Sequence, residues 1–168
     1  MAYASERGGN WQLYLAKIAR KEEANFPNAT LIEEEVLLPS KTVERAYPQY
    51  SPDGKELAFI EDRNRLMVLD LKTKKVRQVT DGSTWYNTGG GFDYEWSPDG
   101  KWFTLEFIGN RHDPYSDIGI VSAQGGTITN LTNSGYISGS PRWVCRPFSS
   151  GRWRACAPLF RRRSGASL

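Results

Sequence analysis

The chain has 168 residues, of which 39% are hydrophobic, with 22 Lys and Arg against 19 Asp and Glu. No run approaches the roughly 18 consecutive apolar residues of a membrane-spanning helix, so we expect no membrane span. Residues 144–168 hold six Arg and no Asp, Glu or Lys, which leaves 16 basic and 19 acidic residues in positions 1–143. The net charge of +3 therefore comes from the last part of the chain.

The first 38 residues predict three strands. Residues 2–7 (AYASER) match residues 58–63 (AFIEDR), and residues 11–16 (WQLYLA) match residues 66–71 (LMVLDL), two stretches that are predicted as strands. A charged stretch at 17–28 follows and is interpreted as an insertion. The acidic run at 33–35 precedes an apolar strand at 36–38, and we expect its charges to face solvent and to discourage pairing at a sheet edge.

The most informative motif is the pentapeptide SPDGK, which occurs at residues 51–55 and again 46 positions later at 97–101. Ser can bond to nearby backbone, Pro presets φ, Asp suits the third position and Gly accepts a positive φ, so the chain is predicted to reverse direction here. The predicted turn residues are Ser51, Pro52, Asp53, Gly54, Ser97, Pro98, Asp99 and Gly100.

Each SPDGK turn lies inside a longer repeated unit. An aromatic residue precedes the turn, an apolar strand follows it, and two further strands are predicted at 66–71 and 76–80 in one copy and at 117–122 and 127–132 in the other. The spacing of 46 residues between the two SPDGK motifs is close to the roughly 40 to 45 residues of a four-stranded propeller blade. We assign complete blades to 47–80 and 93–132, a partial blade to 1–38 and the start of another to 140–143.

The pattern Pro-x-aromatic-Ser-Pro-Asp-Gly-Lys, followed by an apolar strand and a terminal Leu-Thr or Val-Thr, resembles the WD40-like PD40 repeat over residues 1–143. Such repeats build the propellers of TolB-type proteins and the N-terminal propellers of tricorn-like (S41) serine peptidases. The resemblance implies an all-β fold, a partial β-propeller of four-stranded antiparallel blades. About two blades would be complete, one partial at the N-terminus and one aborted at the C-terminus, so the chain is expected to be a fragment of a larger protein.

The resemblance also implies a function. In tricorn-like peptidases the propeller controls access to a separate protease domain, so this chain would be a non-catalytic scaffold that binds peptides or proteins. A TolB-like module for interactions in the cell envelope is the alternative. The implied partners are a protein or peptide, the remaining blades and a protease domain of the parent, which would lie in the periplasm or cell envelope, with the cytoplasm also open.

Candidate catalytic groups are few. His112 is the single histidine, and no Gly-x-Ser-x-Gly motif supplies a nucleophile. Two cysteines and one distant histidine do not make a zinc site. We therefore expect no catalytic residue, no metal and no cofactor in this chain.

Two loops are longer than the turns, at 81–91 and 109–116, and both are predicted on the face opposite the SPDGK turns, near the mouth of the central channel. Loops on a rigid scaffold concentrate binding residues, and Trp, Tyr and Arg are enriched at interface hot spots. In the alternative interpretation, Trp85 and Tyr86 pack between blades. The candidate binding residues are Trp85, Tyr86, Arg111, His112, Asp113 and Tyr115.

Residues 144–168 allow two interpretations. Clustered Arg could form a basic arm that binds nucleic acid or an anionic surface. Alternatively, the blade pattern simply stops after Trp143, as it would in a disordered tail or an aberrant reading frame. We favour the second interpretation because the break falls where the next SPDG should begin, so nucleic acid is not an expected partner. Both cysteines, Cys145 and Cys156, lie in this stretch.

Overall fold

The computed structural model describes residues 1–83, 85, 91–109, 115–133, 135–147 and 153–162. These parts of the chain contain thirteen strands and one short 3-10 helix, with no α-helix. No helix among the described residues is long and apolar enough to cross a membrane. The all-β fold class predicted from the sequence is confirmed.

Blade 1 is a three-stranded antiparallel sheet. Its strands are β1 (Ala2–Ser5), β2 (Gln12–Ile18) and β3 (Ile32–Leu37), in the order β1-β2-β3, with the 3-10 helix Phe26–Asn28 between β2 and β3. The acidic run at 33–35 lies within β3, whereas the sequence placed it before the strand. An exposed outer strand tolerates carboxylates, because their charges stay in water while the backbone pairs with β2.

Blades 2 and 3 are four-stranded antiparallel meanders. Blade 2 consists of β4 (Arg45–Tyr50), β5 (Glu56–Glu61), β6 (Arg65–Asp70) and β7 (Val76–Gln78). Blade 3 consists of β8 (Tyr94–Trp96), β9 (Trp102–Phe107), β10 (Asp117–Ser122) and β11 (Thr129–Asn130). In both sheets, strand order follows chain order. The outer strands β7 and β11 are shorter than the sequence predicted.

A terminal hairpin follows blade 3. It pairs β12 (Ser138–Pro147) with β13 (Trp153–Arg162) in antiparallel register. The sequence predicted a disordered or aberrant stretch from residue 144; the described residues of that stretch, 144–147 and 153–162, lie in these two strands. The missing SPDG motif does not prevent a hairpin, because strand pairing depends on backbone hydrogen bonds that most side chains permit.

The two SPDGK turns fold identically. The hydroxyl of Ser51 donates to Asp53 Oδ1 at 2.7 Å and that of Ser97 donates to Asp99 Oδ1 at 2.6 Å. In each turn the glycine N–H donates to the serine carbonyl at 2.9 Å, and the glycine φ is 71° at Gly54 and 69° at Gly100. Only glycine adopts such a φ without a steric penalty, so the predicted turn and the reason for its glycine are confirmed.

The strand β5 divides the core in two. Its odd-numbered residues Leu57 and Phe59 belong to a cluster with Leu13 and Leu37 of blade 1. Its even-numbered residues Ala58 and Ile60 belong to a larger cluster that includes the aromatic residues of blade 3. Because successive side chains of a strand point to opposite faces, β5 is buried on both sides, which explains its continuous apolar sequence.

Neighbouring blades stack in the same register. The indole Nε1 of Trp96 in β8 donates to the carbonyl of Gln49 in β4 at 3.4 Å. Between the terminal hairpin and blade 3, the indole Nε1 of Trp143 in β12 donates to the carbonyl of Glu95 in β8 at 3.3 Å. The same contact thus recurs from one first strand to the next, and the molecule is a partial β-propeller.

The first strands of two units also share a bulge. The register of β4 with β5 shifts between Ala46 and Gln49, and that of β12 with β13 shifts between Gly139 and Arg142. At these shifts Tyr47 has a φ of 56° and Ser140 a φ of 53°, each directly before a proline. A left-handed residue of this kind is a feature of bulges that increase the local twist of a strand.

Candidate functional site

A cleft of about 690 Å³ lies between blades 2 and 3. One wall is formed by the end of β7 and the residues after it, and the other by the end of β9 and the residues before β11. The walls therefore include the described beginnings of both long loops. The lining residues are Gln78, Val79, Thr80, Asp81, Ser83, Phe107, Gly109, Gly126, Thr127 and Ile128.

The floor of the cleft is apolar and tightly packed. A Cβ atom added at Gly119 would lie 2.3 Å from Ile128 Cγ2 and 2.9 Å from Phe107 Cε1, so glycine at this position of β10 lets the two side chains approach each other. Phe107 is 6% exposed and Val79 is 4% exposed. The cleft can therefore accept an apolar side chain without having to displace polar groups from its floor.

One rim of the cleft is acidic. The backbone N–H of Ser83 donates to Asp81 Oδ1 at 2.9 Å, and its hydroxyl donates to the same oxygen at 2.7 Å. These bonds, the hydroxyl bond above all, lower the pKa of Asp81. Nearby, Thr80 is buried and its hydroxyl accepts from the N–H of Leu66 at 2.9 Å. The cleft thus combines an apolar floor with one fixed carboxylate.

A polar link between blades 2 and 3 involves Arg77, the residue before the lining residue Gln78. The guanidinium of Arg77 in β7 forms a bidentate ion pair with Glu56 in β5, with Nη2 and Oε2 at 2.7 Å, and its Nε donates to the carbonyl of Ala123 in blade 3 at 3.0 Å. Arg77 and Glu56 were not among the residues predicted from the sequence. The signal that could have found them is the position of Arg77, a cation within an otherwise short and apolar-flanked strand.

The predicted binding residues are located as follows. Trp85 is 6% exposed and packs on Phe92 with ring centroids 5.7 Å apart, so it belongs to the core between the blades, the alternative interpretation given above. Tyr115 is 44% exposed and lies just before β10. Outside the described residues lie Tyr86, Arg111, His112 and Asp113.

The position of the cleft differs from the expectation. It lies beside the outer strands β7 and β11, whereas the binding face was predicted near the central channel, which the first strands β4 and β8 would line. The SPDGK turns line a different depression of about 310 Å³, at the opposite end of β9.

The metal-binding capacity of the described residues is limited: they hold no group of three or more His, Cys, Asp or Glu side chains that could bind a metal ion. The cleft has one carboxylate, three hydroxyl residues and an amide among its lining residues. Such a set can bind a ligand by hydrogen bonds and charge.

Comparison with known proteins identifies similarity to peptidases. The chain is 33% identical over 101 residues to "Uncharacterized peptidase YuxL" of Bacillus subtilis (strain 168), which covers 57% of this chain and 15% of that protein. It superposes on the crystal structure of the tricorn protease with a TM-score of 0.55 and 13% identity, over 91% of this chain and 15% of the other. No family model matches the sequence. The chain thus spans about 15% of the length of the curated relative, and the likeness to the solved structure shows the fold alone.

Proposed function

We propose that this chain is a PD40-type propeller segment of a larger tricorn-like serine peptidase, in which it is a non-catalytic scaffold that binds peptides or a partner protein. The sequence match to a peptidase and the structural match to the tricorn protease support this parent over a TolB-like protein. The catalytic groups of such a parent would lie outside this chain.

We further propose that the cleft between blades 2 and 3 is the binding surface. The observation that carries this proposal is that its lining residues come from the beginnings of both long loops and surround an apolar floor beside the Asp81 carboxylate. An extended peptide could place an apolar side chain on Phe107 and Ile128 and a cationic or amide group near Asp81. Clefts with an apolar surface and a few fixed polar groups are typical of ligand sites.

The test is to fill the cleft. Thr127 lines it and is exposed, so Thr127→Trp would place a large side chain in the cleft without removing a core contact. An array of short labelled peptides of varied sequence, read by fluorescence polarisation, identifies peptides that bind the unsubstituted chain. For these, Thr127→Trp should weaken binding about tenfold or more, which corresponds to about 1.4 kcal/mol or more.

The matched control is Thr129→Trp. Thr129 is exposed on β11 two residues further along and is not a lining residue. This variant should bind the same peptides as the unsubstituted chain. Both variants should have melting temperatures within a few degrees of that of the unsubstituted chain. Equal binding by both Trp variants would contradict the assignment of the cleft, and an array without any bound peptide would contradict the peptide-binding function.

A further inference from the structure

The terminal hairpin places the two cysteines of the chain directly opposite each other. In the register of β12 with β13, Trp143 pairs with Pro158, Val144 with Ala157 and Cys145 with Cys156. Three consecutive pairs in one unbroken register fix the alignment up to Cys145. The two cysteines therefore occupy opposite positions in the backbone register of the hairpin.

This register matches the requirements of a disulfide. Directly opposite residues have Cα atoms about 4.5 Å or 5.5 Å apart, depending on whether the pair is hydrogen-bonded. Disulfides span Cα separations of about 4.4–6.8 Å. Either kind of pair therefore lies within the range of a disulfide without movement of the backbone.

We propose that Cys145 and Cys156 form an intrachain disulfide that links β12 to β13 and so holds the end of the terminal hairpin closed. An isolated two-stranded hairpin is only marginally stable, and a covalent link between its strands reduces the freedom of the open form. The contacts that attach this hairpin to blade 3 are made by residues of β12, such as Ser140 and Trp143. A link to β12 would therefore also keep β13 in place.

The reaction is thiol–disulfide exchange with a low-molecular-weight disulfide as the oxidant. One cysteine thiolate attacks the oxidant, which forms a mixed disulfide and releases one small thiol. The second cysteine thiolate attacks the protein sulfur of the mixed disulfide and releases the second small thiol. Two S–H bonds of the protein are lost and one S–S bond is gained, and the two protons and two electrons leave with the two small thiols.

The test compares the native pair with a pair shifted by one residue. Two cysteines this near in sequence can also form a disulfide in an unfolded chain. The measured quantity is therefore the ratio of oxidised to reduced glutathione at which half of the full-length chains carry the intrachain disulfide. Alkylation of free thiols followed by peptide mass spectrometry gives the closed fraction. The shifted variant carries Val144→Cys with Cys145→Val, which moves one cysteine out of the register position opposite Cys156.

A second variant restores the pairing in the shifted register. It adds Cys156→Ala and Ala157→Cys to the first, so that the new cysteines occupy the paired positions 144 and 157. The native and the restored pair should close at a ratio about tenfold or more below that of the shifted variant. In concentrated urea, where strand pairing is lost, the three chains should close at the same ratio.

Two results would overturn the proposal. One is closure of the shifted variant at the same ratio as the native chain in the absence of urea. The other is a native chain that collects glutathione on each cysteine, or links to a second chain, in place of the intrachain bond.

Discussion

Two joints between neighbouring units of this molecule are built from different chemistry. The inner joint, between blades 2 and 3, contains a large apolar cluster in which Phe103 is fully buried between Tyr94 and Trp96, with ring centroids 5.9 and 4.1 Å away. The terminal joint, between blade 3 and β12, consists of carboxylates of blade 3 that accept backbone N–H groups of β12. Both keep the same Trp-to-carbonyl contact, so one geometry is stabilised in two ways.

The terminal joint has two such carboxylate contacts. Glu95 Oε2 accepts from the N–H of Trp143 at 2.7 Å, and Glu106 Oε1 accepts from the N–H of Ser140 at 2.8 Å. The residues at the corresponding positions of blade 2 are Gln49 and Ile60, which are uncharged. Thr104, opposite Glu95, is buried, and its hydroxyl has no hydrogen-bond partner among the described residues. Gln49 also bonds to the neighbouring first strand, since its Nε2 donates to the carbonyl of Tyr94 at 2.9 Å. The inner joint therefore combines neutral side-chain hydrogen bonds with an apolar cluster, whereas carboxylates position the backbone of β12 in the terminal joint.

The largest expected effect comes from breaking the inner joint. Phe103→Ala would leave a cavity among Tyr94, Trp96 and the aliphatic residues of the cluster, and we expect it to lower the free energy of unfolding by about 3–5 kcal/mol. Urea denaturation followed by tryptophan fluorescence measures this loss. Trp102→Ala is the control, since Trp102 is adjacent in β9 but 44% exposed, and its cost should stay below about 1 kcal/mol. Equal costs for the two variants would contradict the assignment of Phe103 to the core.

A substitution in the terminal joint should change hydrogen exchange only at residues near that joint. Glu95→Ala removes the acceptor of the Trp143 N–H, and hydrogen bonds to charged groups contribute about 1.5–3 kcal/mol. We expect amide hydrogen exchange at Trp143 to become about tenfold faster or more, while the amides of β9 exchange as fast as in the unsubstituted chain. Gln49→Ala is the corresponding change in blade 2 and should leave exchange at Trp143 unchanged. A uniform increase of exchange through blade 3 would show that the two joints are not independent.

The smallest effect concerns the SPDGK turns, which do not differ between the blades. The bond from the Ser51 hydroxyl, together with the N–H of Lys55, lowers the pKa of Asp53 from 3.8 to about 2. The folded pKa lies below the unfolded one, so the ionised turn favours folding above pH 3.8, and this contribution is lost as the pH falls through about 2. A titration followed by carboxyl-carbon NMR should give Asp53 a pKa near 2 in the unsubstituted chain and a pKa closer to 3.8 in Ser51→Ala. An unchanged pKa in that variant would contradict the proposed cause.

Much of the fold could be predicted from the sequence because turn chemistry and strand patterns repeat. Ser51 and Ser97 begin identical turns, and the apolar run after each turn becomes a strand that is buried on both faces. What the sequence missed depends on context. The acidic residues of β3 form a strand because they lie at an exposed outer position, and β12 pairs with β13 without the turn motif that marks the other blades.

The site was less predictable. The long loops indicated a binding region, yet Trp85 packs into the core, because an aromatic side chain at the edge of two packed sheets gains more from burial than from exposure. The cleft itself is lined by residues of two different blades, which no local sequence pattern brings together. The carboxylates of the terminal joint could have been suspected by comparing Glu95 with Gln49 at corresponding positions of the repeat.

The central claim is that successive units stack first strand against first strand in one repeated register. Nuclear Overhauser effects from the indole N–H protons of Trp96 and Trp143 test this claim most directly. The stacked arrangement predicts contacts from Trp96 to the backbone around Gln49 and from Trp143 to the backbone around Glu95. Indole contacts confined to residues of each tryptophan's own sheet would contradict the propeller arrangement.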